Sequence, residues 1–263
     1  MTKALANGLP ADAKKSWLED VRISYGPVAE IGRFFLIADR AATLRGVRMS
    51  IQDSALLREV NRSNRASWYP LAPPLDPERV ALNSDRFFCL AGHDASGECV
   101  AMISGRFYDW SASTMYDEVQ SMRFFYDDPD RDRGRDETAI ITSQAARSIR
   151  GKVAYLGSAW YRPDHRKRGL PGIFSRVARC YALGIWDTDT TIGIMTDKVV
   201  AMGLRQQIGH PHLDWGIRWN KSPLGDLNVA VVWIDRQETI DDMATYGAQL
   251  SLGDAAVAHQ RRA

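Results

Sequence analysis

With 263 residues, of which 45% are hydrophobic and 25% charged, the chain can bury a sizeable core, and an intrinsically disordered polymer is excluded. Basic and acidic residues nearly balance, 34 against 32, and the formal charge of +2 argues against nucleic acid held by bulk electrostatics. No apolar run reaches the roughly 18 residues of a membrane span, and the N-terminus has no signal-peptide-like apolar segment. The cysteines Cys89, Cys99 and Cys180 lie in apolar-patterned stretches and read as reduced core thiols, so the expectation is a cytoplasmic protein without disulfides or a metal site.

Residues 1 to about 15 show no periodicity and read as a loose tail. From Pro27, the apolar Val28, Ile31, Phe35, Ala38 and Ala42 recur at helical spacing, with proline at the start and Gly46 just past the end. Val47 to Ile51 alternates as a strand, and Asp53 is placed to cap a helix carrying Leu56, Leu57, Val60 and Asn64. Four prolines between Trp68 and Pro77 forbid regular structure, with a short helix expected from Pro77 to Leu82. Arg86 to His93 and Cys99 to Tyr108 read as a hairpin across Asp94-Ala-Ser-Gly-Glu98. A helix is expected from Thr114 to Phe125, followed by a solvated, mobile run of mixed charge from Asp127 to Glu137. A short strand at Ala139 to Thr142 and a turn at Gln144 to Ile149 complete this region. Strands at Lys152 to Tyr161, Thr190 to Thr196, His212 to Trp219 and Asn228 to Asp235 follow, with a helix from Lys198 to Ile208 and another from about Thr239.

The most informative stretch runs from Tyr155 to Tyr181. Its strand stops at Arg162-Pro163, a basic turn follows from His165 to Arg168, and a helix opens around Gly169 to Gly172. Ile173, Phe174, Val177, Ala178 and Tyr181 then share one apolar face. A helix start preceded by basic residues, with glycines that let a ligand approach the backbone, is a ready anion site. Without a ligand, the same residues make a solvated basic turn at an ordinary strand–helix junction.

Pro163 and the run Arg166-Lys167-Arg168-Gly169-Leu170-Pro171-Gly172 resemble the coenzyme A pyrophosphate loop of the GNAT acyltransferase superfamily, Gln/Arg-x-x-Gly-x-Gly/Ala. Arg166 and Gly169 match that pattern; Pro171 departs from it and removes one backbone donor. The order of elements is also similar to the GNAT core over residues about 46 to 236. Residues 1 to 45 form an N-terminal extension, 110 to 150 an insertion, and 237 to 263 a C-terminal helix and tail. The resemblance implies an α/β fold: a mixed, mostly antiparallel sheet flanked by helices, with the fourth and fifth strands splayed apart.

It further implies an acyl-coenzyme A-dependent N-acyltransferase, with acetyl-CoA or another acyl-CoA as donor and an amine of a small molecule or peptide as acceptor. Pantetheine would lie along the backbone of Trp160, Tyr161 and Arg162, as an added strand does. The pyrophosphate would sit at Arg166, Lys167, Arg168, Gly169 and Gly172. In the family, a tyrosine on the helix after the fifth strand commonly serves as acid, but Arg205 stands at that place here, between the matching Leu204 and Gly209. Ser158, Tyr155, Tyr108 and Tyr116 are the alternative hydroxyls, and the sequence does not choose among them. Trp68, Tyr69, Asp109, Trp110 and Arg123 are the expected acceptor-side residues, although Trp68 and Trp110 equally suit core positions under long loops. His210-Pro-His212 with Asp214 lacks a fourth ligand and reads as a surface turn rather than a metal site. Two other readings stay open: a long-chain N-acyl synthase fed by acyl carrier protein, and a non-catalytic protein that binds acyl-CoA or a partner. A second copy of the chain is compatible with all three.

Overall fold

Residues 16–19 and 21–260 are described by the computed structural model, so the expected loose tail lies outside the described residues. Pro27 opens helix α1 (Val28–Leu44), which turns Ile31, Phe35, Ala38 and Ala42 inward and leaves Val28 exposed. Gly46, at φ 78°, reverses the chain into strand β1 (Arg48–Gln52). The Asp53 carboxylate then accepts the Ala55 and Leu56 amides at the start of α2 (Ser54–Ser63), as its position before the apolar run requires. Strands β2 (Phe87–His93) and β3 (Cys99–Trp110) form the expected hairpin.

The segment from 110 to 150 contains α3 (Met115–Gln120), α4 (Pro129–Asp132) and β4 (Thr138–Ile141). After it come β5 (Gly151–Tyr161), α5 (Leu170–Trp186), β6 (Thr190–Thr196), α6 (Asp197–Ala201) and α7 (Leu204–Gln207). Strands β7 (His212–Ser222) and β8 (Gly225–Asp235) and helix α8 (Arg236–Gln260) complete the described chain. The fold is mixed α/β, with an eight-stranded sheet in the order β1-β2-β3-β5-β6-β8-β7-β4. Every neighbouring pair is antiparallel except β5 and β6.

Both faces of the sheet are covered. Helices α1, α5 and α8 pack on one, with Phe35, Ile173, Phe174 and Leu183 in the core. Helix α2, the 68–77 loop and the 110–150 segment cover the other. Strand β5 changes parity between these faces. Val153 and Tyr155 belong to the second core, Ala154 and Leu156 to the first, yet Trp160 joins the second and Tyr161 packs on the first. A β-bulge explains the reversal: the register with β3 slips between Met102 and Ser104, and Ser158 takes a left-handed φ of 51°.

Four expectations are corrected. The helix expected from Thr114 to Phe125 ends at Gln120, and Met122 adopts φ 66°. Leaving the helix lets the consecutive Phe124, Phe125 and Tyr126 all be buried, which one helical face does not permit. The helix expected from Pro77 to Leu82 is a single turn on the Asp76 carbonyl, because the next amide, that of Ala81, bonds to Asp127 instead. Lys198 to Ile208 is two short helices, broken at Gly203 with φ 72°. The run from Asp127 to Asp136 is solvated as its charge implies, but Glu137 is buried. Its carboxylate accepts the Tyr126 hydroxyl at 2.8 Å, the Trp219 indole N–H at 2.6 Å and the Gly134 amide at 2.8 Å.

Glu137 therefore fastens the 110–150 segment to β7. Replacing it with alanine strands two buried donors, each at a cost of about 1–3 kcal/mol. Glu137→Ala is expected to lower the free energy of unfolding by at least about 2 kcal/mol in urea titrations, and Tyr126→Phe by less.

Candidate functional site

Strands β5 and β6 pair over only three positions, Val153 with Thr190, Ala154 with Thr191 and Tyr155 with Ile192. Beyond Tyr155 they separate, and a cavity of about 310 Å³ occupies the fork. Its walls come from Tyr155 to Ala159 and Tyr161 on β5 and from Gly193 to Thr196 on β6. Trp68 and Tyr69 from the 68–77 loop, and Trp219, Leu224, Leu227 and Val229 from the β7–β8 hairpin, join the lining. The Arg162 amide bonds to the Val100 carbonyl of β3 at 2.8 Å. Antiparallel alternation therefore turns the N–H and C=O of Tyr161 the other way, toward the fork.

The N-terminus of α5 lies at the mouth, where Pro171 and Ser175 join the lining. Gly169 precedes the helix at φ 74° and Lys167 takes φ 64°, so two left-handed residues shape the turn. Residues 166 to 169 are all exposed. Among the described residues, the amides of Lys167, Arg168 and Gly169 have no acceptor within the protein. That leaves an open set of donors at a helix start. The side chains around it are less free than their charge suggests. Arg166 donates to the carbonyls of Tyr161 (3.0 Å) and Ser67 (3.3 Å) and so braces the end of β5 against the Trp68 loop. Arg168 donates to the carbonyls of Arg45 (3.3 Å) and Asp164 (3.0 Å), and Arg45 returns a bond to the Arg168 carbonyl at 2.9 Å. All of these acceptors are neutral, so the positive charge at the mouth is not cancelled. Arg45, missed by sequence reasoning, reaches this turn from 123 residues away.

Two of the expected cofactor-side residues have partners within the protein. Arg162 is bound by Asp94, Glu98 and Asp164, which hold it on the β2–β3 hairpin, and its amide is already spent on β3. Gly172 is buried, and a Cβ there would come within 2.7 Å of the Tyr246 hydroxyl and 3.1 Å of the Gln207 carbonyl. Its smallness serves the packing of α8 on α5. Trp160 is buried and stacks on Trp68 at 5.3 Å, donating its indole N–H to Ser67.

Of the alternative hydroxyls, Tyr155 and Ser158 line the cavity; Tyr108 and Tyr116 do not. Tyr108 spends its hydroxyl on the Phe124 carbonyl at 2.8 Å, and Tyr116 lies beneath the Arg147 guanidinium. On the acceptor side only Trp68 and Tyr69 reach the cavity, and Tyr69 is 78% exposed. Asp109 accepts from Ser111, Trp110 is core against Tyr108 and Phe124, and Arg123 pairs bidentately with Glu118. Arg205 donates to the carbonyls of His210 and Pro211 and is not among the residues that line the cavity.

His210 is the residue the sequence misplaced. Rather than lying on a surface turn, it is 3% exposed and lines the cavity. Its Nε2 has no hydrogen-bond partner among the described residues, and neither has the buried hydroxyl of Tyr161. Burial, then the neighbouring Arg179 guanidinium, holds His210 well below the ordinary histidine value of 6.5, so its ring is neutral. Arg176 and Arg179 share the single carboxylate Asp242 on α8, and Arg179 also donates to the carbonyls of Ile208 and Gly209. Gly209, at φ 71°, has no room for a Cβ beside Arg176 and Asp242. Burial pushes the Tyr155 and Tyr161 hydroxyls far above the usual tyrosine value, so both remain protonated. His212 faces Glu238 at 2.6 Å, and Asp214 accepts from Ser143 and Ala145, which separates the three side chains once weighed as metal ligands.

No family model and no curated protein matches the sequence. Among solved structures, the chain is similar to the dodecameric spermidine N-acetyltransferase of Vibrio cholerae, with 10% identity and a TM-score of 0.43 over 72% of this chain and 94% of that one. It is similar to the aminoglycoside acetyltransferase AAC(6')-Ib in complex with coenzyme A and kanamycin, with 13% identity and a TM-score of 0.39 over 73% of this chain and 96% of that one. A putative phosphinothricin N-acetyltransferase gives 13% identity and a TM-score of 0.40 over 72% and 98%.

The state of His210 has a measurable consequence. Arg179, Arg176 and Arg205 face it, with Asp242 behind them, and its folded pKa lies below the unfolded value near 6.5. As pH falls below 6.5 the unfolded chain takes up the proton first, so stability is complete above that pH and is lost on acidification toward the folded pKa. His210→Phe is expected to flatten the decline in unfolding free energy between pH 6.5 and 5, measured by urea titration. His93, also lowered by burial, leaves a residual slope.

Proposed function

We propose that the protein is a divergent member of the GNAT acyltransferase superfamily, using a coenzyme A thioester to acylate an amine. One observation carries this reading: an open, basic helix N-terminus leads directly into an apolar cleft between two strands that stop pairing. A nucleotide diphosphate suits the free amides of Lys167, Arg168 and Gly169, where the helix dipole and the uncancelled charge of Arg166, Lys167 and Arg168 favour an anion. The pantetheine arm, with its two amides, suits the fork, where Tyr161 turns backbone groups away from β3. A bound thioester would supply an activated acyl carbonyl and a thiolate leaving group.

Within the chain, the work is the movement of protons. The amine must shed a proton as its nitrogen bonds to the acyl carbon, and the thiolate must gain one as the C–S bond breaks. The Nδ1 of neutral His210 faces the Arg179 donor, which leaves the ring proton on Nε2, and the protonated hydroxyls of Tyr155 and Tyr161 are further donors; all three residues line the cavity. Each unsatisfied polar atom costs about 1–3 kcal/mol in the empty protein, a cost that a polar ligand group relieves. The acyltransferase unit in this reading spans residues 46 to 236, with α1 and α8 bracing α5 from behind.

Coenzyme A is expected to bind in a calorimetric titration, and Lys167→Glu to weaken it about tenfold, the effect of losing one charge-assisted phosphate contact. Absence of binding heat with millimolar coenzyme A, in protein shown to be folded, overturns the reading.

A further inference from the structure

The cavity in the fork is lined mainly by apolar side chains. Among the described residues, its lining contains no aspartate, glutamate, lysine or arginine. At its far end, the part on the sheet face opposite α5, the lining residues are Trp219, Leu224, Leu227 and Val229, which belong to or pack on the core of that face. Trp219 is fully buried and fixed from behind, stacked on Phe125 at 4.1 Å and held by Glu137. Leu224 and Leu227, on the β7–β8 hairpin, are only partly buried by the core they pack on. The end wall is thus a set of preformed aliphatic and aromatic surfaces.

Two molecules could occupy that end, the acceptor or the acyl chain. An amine reaching it as an ammonium would leave water without a carboxylate to meet it, and an unpaired buried charge is strongly unfavourable. Polyamines and other polycations are therefore poor fits. An acyl chain carries no charge and enters by the same fork as the thioester to which it is bonded. We infer that the far end of the fork is an acyl pocket, and that the donor substrate is a coenzyme A thioester of a medium-length aliphatic acid rather than acetyl-CoA. This rests on the coenzyme A reading above and adds the class of acyl group. The amine would then approach from the outer mouth, near the exposed Tyr69.

The test is a calorimetric series with coenzyme A, acetyl-CoA and octanoyl-CoA on the full chain. Each methylene that leaves water strengthens binding about fourfold. Entry of only two or three of the octanoyl methylenes therefore makes octanoyl-CoA more than tenfold tighter than acetyl-CoA. Leu227→Trp, which fills the pocket, is expected to erase that difference; its thermal unfolding is recorded alongside. Coenzyme A binding with equal affinities for the acetyl and octanoyl esters in the natural chain overturns the acyl pocket and leaves the donor reading standing. Failure of coenzyme A and both esters to bind overturns the donor reading itself, and the acyl pocket with it.

Discussion

Everything of functional interest follows from the early end of one strand pairing. In the middle of an eight-stranded sheet, β5 and β6 hold together over three positions and then part. A buried strand that loses its neighbour leaves main-chain donors and acceptors without partners, which a folded protein tolerates only where something else satisfies them. Here the parting coincides with the Ser158 bulge, which rotates the rest of β5 so that Trp160 faces the Trp68 loop and Tyr161 faces α5. The fork is held open on both sides: Gly193 on β6 needs no space for a side chain beside Leu156, and β6 stays fastened to β8 through Thr196.

The basic turn at the head of α5 is built in the same spirit. Three successive cations would repel one another if nothing constrained them. Arg166 and Arg168 instead each spend two donors on carbonyls, of Tyr161 and Ser67 and of Arg45 and Asp164 respectively. Those bonds fix the geometry of the turn without neutralising it. In the middle of the same helix, Arg176 and Arg179 are buried and share Asp242, and their carbonyl bonds clamp residues 207 to 209. One helix thus presents an open cationic end to solvent and a closed cationic pair to the interior, and burial, with Arg179 second, keeps His210 neutral at the cavity wall.

The 110–150 segment is no appendage in energetic terms. Its aromatics Phe124, Phe125 and Tyr126 join the core beneath the sheet, and β4 adds an eighth strand beside β7. Through Glu137 and Phe125 it fixes Trp219, one of the residues that line the cavity. Part of the cavity lining therefore depends on a segment whose charged middle remains in water.

The sequence by itself determined the elements and the turn. Hydrophobic spacing located α1, α2, β1 to β3 and β5 to β8, because those patterns are local and their period is set by backbone geometry. The junction at Arg166 to Gly169 was legible because a basic turn before a helix start is written in adjacent residues. Tertiary structure decided the membership of the site. Tyr108, Asp109, Trp110, Tyr116 and Arg123 read as well as Trp68 and Tyr69 did, and only packing showed that their polar atoms and faces were already taken. Glu137 sat in a run of ten other residues rich in charge, and nothing local distinguished the one carboxylate that a distant indole and phenol would claim. His210 likewise looked like a turn residue, since the Arg179 side chain packed against it comes from α5, 31 residues earlier in the chain. Periodicity records which face of an element is apolar. Which polar group ends in a cavity depends on contacts between residues far apart in the chain, and those exist only once the chain has folded.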